Sequence, residues 1–231
     1  MNLLKVFSAC VAVVSVCQGN AAPADTVVAS SYGWNPTNAT KCLQAALDSG
    51  AKKVIVDKQA SEWLVDMMYP RSNTEIVFQD GVIVRARPGS MKRNIDNLFR
   101  CKNVSNIVMR GEGRAILRMN REDYFDRTRY MRGEHRHAVS LHNAQNMVVR
   151  DLTLEDSGGD GVYVLNVKKA LLEILSALVM PVKVRALSQP MKSLYVIAFS
   201  STQRVHCRSV VWTLSQGTLF SIFSAYLLTT A

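Results

Sequence analysis

The chain has 231 residues, 48% of them hydrophobic, and a formal charge of +10 at pH 7. That length leaves room for one domain with a real core. The charge does not mark a nucleic-acid binder, because residues 165–231 hold seven Lys or Arg against one acidic residue, Glu173, and the first 164 residues carry only +4. Five cysteines without a C-x-x-C or other metal-ligand spacing exclude a zinc module.

The N-terminus has the layout of an export signal over residues 1–21. Lys5 supplies the charge, Val6 to Cys17 the apolar run, and Gly19-Asn20-Ala21 the small residues before the cleavage point. The run is short for a membrane span, so a secreted or periplasmic protein with no stable membrane insertion is expected. A buried helix or an anchor is the alternative.

Residues 22–53 form a strand and cap-helix region. The segment from Asn35 to Gly50 predicts a helix, with Asn35, Thr37 or Asn38 as cap, Leu43, Ala46 and Leu47 as its apolar stripe, and Gly50 as its end. Val54-Ile-Val56 is the strand that follows. Cys42 and Cys101 either pair or remain buried thiols.

Residues 54–164 are short apolar runs closed by turn residues. Asn103-Val-Ser-Asn-Ile-Val-Met-Arg110 recurs as Asn143-Ala-Gln-Asn-Met-Val-Val-Arg150. Each copy is followed by a second short run, Ala115-Ile-Leu117 or Leu152-Thr-Leu154. A charged insertion, 118–137, separates them. Such repetition predicts an all-β chain whose parallel strands stack tier upon tier, with aliphatics inside and Asn side chains bonded to their equivalents one tier away. Ile107 and Val148 are expected to share the interior. Paired Asn-Gly or Asp-Gly hairpin turns, which a β-sandwich of hairpins would use, are missing.

These residues resemble the pectin-lyase-like superfamily of right-handed parallel β-helix proteins over about residues 30–164. The helix Thr40-Lys-Cys-Leu-Gln-Ala-Ala-Leu47 is similar to that family's N-terminal cap. Asn146 to Val164, ending in Asp156-Ser-Gly-Gly-Asp-Gly-Val-Tyr-Val164, is similar to a coil of secreted bacterial members associated with polysaccharides. The resemblance implies a monomeric right-handed parallel β-helix, capped by a helix at its N-terminal end, and a polysaccharide partner. It implies descent from glycoside hydrolases or polysaccharide lyases, or else a non-catalytic glycan-binding or scaffold protein. The N-T-D, D-D, H-G and R-I-K series of a polygalacturonase is absent.

Residues 165–231 carry no trace of the repeat, and an out-of-frame tail is expected there, which would leave the β-helix incomplete at its C-terminal end and the chain truncated and inactive. Shifting the codon frame across Trp212 and Thr213 forces an aspartate. Gln203 to Gln216 can then be decoded as K-G-T-L-P-Q-C-G-V-D-F-E-P, which resembles a run these proteins carry one or two coils later.

Asp156 and Asp160 flank a Gly-Gly turn and are candidates for acid and base on a glycosidic bond, or for calcium ligands; ordinary turn aspartates are the plainer alternative. His135 and His137 are candidates for proton transfer near neutral pH. Arg127, Arg129, Arg132 and Arg136 could hold sugar carboxylates and Tyr130 could stack on a sugar ring. A solvated loop with internal ion pairs is the other reading of that insertion. Calcium apart, no cofactor is expected.

Overall fold

The computed structural model describes residues 24–133, 135–178, 183–185, 194–198 and 210–212. The expected export signal and most of the decoded stretch near Trp212 lie outside these residues. In chain order the elements are β1 (Thr26–Val28), α1 (Thr40–Asp48), β2 (Lys53–Val56), β3 (Trp63–Val65), β4 (Thr74–Phe78), β5 (Ile83–Ala86), β6 (Phe99–Lys102), β7 (Ser105–Gly111) and β8 (Ile116–Arg118). They continue as β9 (Val139–His142), β10 (Gln145–Glu155), β11 (Val162–Leu165), β12 (Lys168–Leu178), β13 (Lys183–Arg185), β14 (Leu194–Ala198) and β15 (Val210–Trp212).

The protein is all-β with parallel strands, and successive passes of the chain lay equivalent strands beside one another. One wall runs β1-β2-β4-β7-β10-β12-β14, and a second runs β3-β5-β8 and joins the C-terminal half of β10. A separate four-stranded sheet is ordered β13-β11-β9-β6. Ten of the eleven residues of β10 surround Asp151, whose left-handed φ of 56° turns the strand from the first wall into the second.

Strand periodicity decides what is inside. Val54, Ile76, Met109, Val149 and Leu172 form one register line across five tiers, and each is buried. Trp63, Val84, Leu117 and Leu154 form its counterpart on the second wall. Phe99, Val139 and Val162 do so in the four-stranded sheet, with Phe99 edge-on to Phe78 at 5.7 Å. Ile107 is inside as expected, but Val148 is not. It pairs with Val108 on the outward line, while its neighbours Met147 and Val149 point inward.

Helix α1 lies at the N-terminal end, burying Cys42, Leu43, Ala46 and Leu47. No side chain caps its first turn; Asn38 Oδ1 instead accepts from the Thr40 N–H at 3.1 Å, and Thr40 Oγ1 accepts from Asp66 N–H, which ties the helix to the stack. Cys42 and Cys101 are free buried thiols. Burial alone raises the Cys101 thiol to about 12.

The repeated asparagines are left-handed and stacked. Asn146 Nδ2 donates to Asn106 Oδ1 at 2.7 Å, and Asn106 Nδ2 to Asn73 Oδ1 at 2.8 Å; Asn166, Asn143 and Asn103 make a second ladder. Asparagine reaches the left-handed region more easily than other residues with a Cβ, and its amide satisfies its neighbour one tier away. Asn106→Ala is expected to lower stability by about 2 kcal/mol, combining left-handed strain with two lost amide bonds. Asn106→Gly, which relieves the strain, should lose less; urea titration of both variants checks this.

The boundary expected at residue 165 is not where pairing stops. Lys168–Leu178 pairs with β10 in parallel register from Gln145↔Lys168 to Glu155↔Leu178, with a shift near Leu152. Asn166 and Lys169, both left-handed, stand where Asn143 and Asn146 stand one tier earlier. The pattern changes at β15, which pairs antiparallel to β14. Among the described residues no helix is long and apolar enough to cross a membrane.

Candidate functional site

The insertion between β8 and β9 returns the chain to the four-stranded sheet through His135, Arg136 and His137. Its core is aromatic. Tyr124 and Tyr130 meet edge-on at 5.4 Å, and the Arg136 guanidinium lies 4.8 Å from the Tyr124 ring centre. Arg136 is fully buried, and its N–H groups donate to the carbonyls of Met91, Lys92, Met131 and Gly133. The expected sugar contact at Arg136 is therefore corrected: its donors are spent on backbone inside the protein. Tyr130 is also buried, at 3% exposure, so its ring offers no open face for a sugar. Arg127, Arg129 and Arg132 are exposed as a sugar-binding role requires.

Asp156 and Asp160, although four residues apart, find different partners. Asp156 is left-handed at the end of β10 and acts electrostatically on Arg118, which bonds Glu155 at 2.7 Å and Glu62 at 2.8 Å. Asp160 belongs to His137. Its N–H donates to His137 Nδ1 at 2.9 Å, and its Oδ2 lies 3.4 Å from the same nitrogen. Between them Gly158 packs under Tyr124; a Cβ there would come within 2.9 Å of Tyr124 Cε2, so the turn and the insertion hold each other.

His137 is 3% exposed and lies flat on Tyr163, with ring centres 4.6 Å apart and planes 7° from parallel. The His142 ring lies 5.4 Å from that of Tyr163, tilted by 46°, while His135 is exposed and 6.1 Å from His137. Because Nδ1 accepts the Asp160 N–H, the neutral His137 ring carries its proton on Nε2. The His142 imidazole is held below its ordinary range, first by burial and then by the positive charges of Arg100 and Lys102. Ser140, on the strand between Arg100 and Tyr163, is fully buried, and its Oγ has no hydrogen-bond partner.

Arg100, Ser140, His142 and Tyr163 escape the sequence reading. A signal was present: each occupies the position one or three residues before a ladder asparagine, in Phe99-Arg-Cys-Lys-Asn103, Val139-Ser-Leu-His-Asn143 and Val162-Tyr-Val-Leu-Asn166. Aligned on the asparagine, these positions share the outward phase. Among the described residues no group of three or more His, Cys, Asp or Glu could hold a metal ion.

The fold defines an all-β protein of parallel strands. Among the solved structures similar in fold is a candidate glycosyl hydrolase from Parabacteroides merdae, aligned with a TM-score of 0.50 at 13% identity, over 69% of this chain and 92% of that one. At that identity the likeness is one of fold. No protein-family model matches the chain, and neither does any curated protein.

Proposed function

We propose that the chain is a right-handed parallel β-helix of the pectin-lyase-like kind, exported from the cell, that processes polysaccharide on the outer face of its four-stranded sheet. Three recurring strand positions per pass, joined by stacked left-handed asparagines, support the winding. One observation carries the function: His137, fixed by Asp160 through Nδ1 and laid on Tyr163, is a preset proton-transfer group beside the half-buried outer positions His142 and Tyr163. A positioned imidazole with a carboxylate against it serves general acid–base chemistry. The fold neighbour's description as a candidate glycosyl hydrolase agrees with a carbohydrate ligand. The slight exposure of His137 favours a second reading, a glycan-binding scaffold without catalysis.

The test is cleavage of a polysaccharide panel, reading reducing ends and the ultraviolet absorbance of unsaturated products. Reducing ends alone mean hydrolysis; both signals together mean elimination. Asp160→Asn is expected to lower turnover about a hundredfold with little change in KM. Absence of both products across the panel would leave only the scaffold reading. The out-of-frame tail remains a proposal for residues 165–231, to be decided by the coding DNA from codon 160 to the stop.

A further inference from the structure

His137 and Asp160 each stand two residues ahead of the first paired positions of β9 and β11, Val139↔Val162. Each arrives there from a loop, and one side chain packs against both loops. His137 follows Arg136, and Asp160 comes two residues after Gly158. The Tyr124 ring covers Gly158 so closely that a Cβ there would stand 2.9 Å from Tyr124 Cε2 and 3.2 Å from Arg136 Cβ. The Arg136 guanidinium rests over the same ring, 4.8 Å from its centre. Tyr124 is in turn tied to the second wall. The Asn120 N–H donates to its hydroxyl at 3.3 Å, Asn120 Nδ2 donates to the Ala86 carbonyl at 2.6 Å, and Arg85 Nε donates to Asn120 Oδ1 at 2.9 Å.

We propose that Tyr124 is a positioning residue: by seating Gly158 and Arg136 together it holds Asp160 against His137. The inference rests on the acid–base reading of that pair and adds the element that assembles it. The bond from the Asp160 N–H to His137 Nδ1, at 2.9 Å, sets the tautomer of the neutral ring. The turn that carries Asp160 is closed at one end by the Val139 N–H, which donates to the Gly161 carbonyl at 3.0 Å. At its middle it is seated by Tyr124 through Gly158. Close-packed contacts pass a displacement on rather than absorb it. A shift of about 1 Å in this turn would break the bond to Nδ1 and can cost turnover about a hundredfold. Glycine at 158 is then a requirement of the pair, since a larger residue would drive the ring and the turn apart.

The experiment follows the ring nitrogen resonances of labelled histidine by NMR in the full chain, beside turnover on the polysaccharide panel. In the parent the neutral His137 ring should carry its proton on Nε2. Tyr124→Leu should mix the two tautomers and lower turnover about tenfold or more with little change in KM. Gly158→Ala, which displaces the ring from the other side, should do the same, and carries the comparison where Tyr124→Leu does not fold. Tyr124→Phe, which keeps the ring and loses the bond from Asn120, should retain the tautomer. Tyr130→Leu removes a ring as deeply buried in the same cluster. It should lower the thermal midpoint as Tyr124→Leu does, yet leave the tautomer intact. A tautomer preserved in Tyr124→Leu and Gly158→Ala, or lost equally in Tyr130→Leu, would overturn the inference. A preference lost as expected, in a chain whose parent cleaves nothing on the panel, sustains the positioning and sinks the catalytic reading. Cleavage by the parent, with the preference kept in both variants, does the reverse.

Discussion

Arg136→Ala is expected to destabilise the protein by about 3–5 kcal/mol, the range for removing a buried charged donor and stranding its partners. The side chain is fully buried, and four carbonyls accept from it: Met91 at 2.8 Å, Gly133 at 3.2 Å, Lys92 at 3.1 Å and Met131 at 2.7 Å. Water cannot replace those donors without opening the insertion. One of the four, Met91, sits at a left-handed φ of 52°, which is unfavourable for methionine; the bond from Arg136 Nε holds its carbonyl in place. The guanidinium also rests on Tyr124 and Tyr130, so its loss loosens both rings. Arg136→Lys should recover little, since one ammonium cannot serve carbonyls spread around a planar fork. Urea unfolding gives the comparison, and a loss below 1 kcal/mol, roughly the worth of a single ordinary hydrogen bond, would contradict this account of the insertion.

Gly111→Ala has the next largest expected effect on stability, about 3 kcal/mol, at the upper end for overpacking. Gly111 ends β7 where the chain of the next tier crosses at Asp151. A Cβ there would overlap the Asp151 carbonyl oxygen, stand 3.1 Å from the Asp151 carbonyl carbon and 2.8 Å from Ala115 Cβ. Two of those obstacles are backbone, so relief means parting two tiers rather than turning a side chain. The same turn of β10 depends on Asp151 in its left-handed conformation, so strain at Gly111 spreads to the corner joining two walls. A midpoint in urea unchanged from the parent would show that the tiers are not packed this closely.

The tiers were legible because asparagine is one of few residues at ease with positive φ, and it recurs at matched spacing. Parity within a tier was not legible in the same way. Three consecutive apolar residues, such as Met147-Val-Val149, fit either phase of a strand, and the structure places the outer two inside and Val148 outside. The insertion was misread where its charge was buried. Half of the cradle around Arg136, the carbonyls of Met91 and Lys92, is backbone distant in sequence, and no residue near Arg136 announces it; the other half, from Met131 and Gly133, is local. His137 and Asp160 were identified singly, but their pairing needed β9 and β11 to lie side by side. The third copy of the asparagine spacing, Asn166-Val-Lys-Lys169, was hidden by a lysine in the second left-handed position.

The central claim is that the outer face of the four-stranded sheet is where this protein meets its ligand. Ring resonances of labelled histidine and tyrosine, followed by NMR during titration with alginate oligosaccharide, test it most directly. The account predicts that His142, His137 and Tyr163 shift together and saturate with the ligand, while Tyr32, exposed beside the helical end, stays fixed. Saturable binding that moves Tyr32 and leaves the His142 and Tyr163 rings unmoved would place the ligand elsewhere and contradict it.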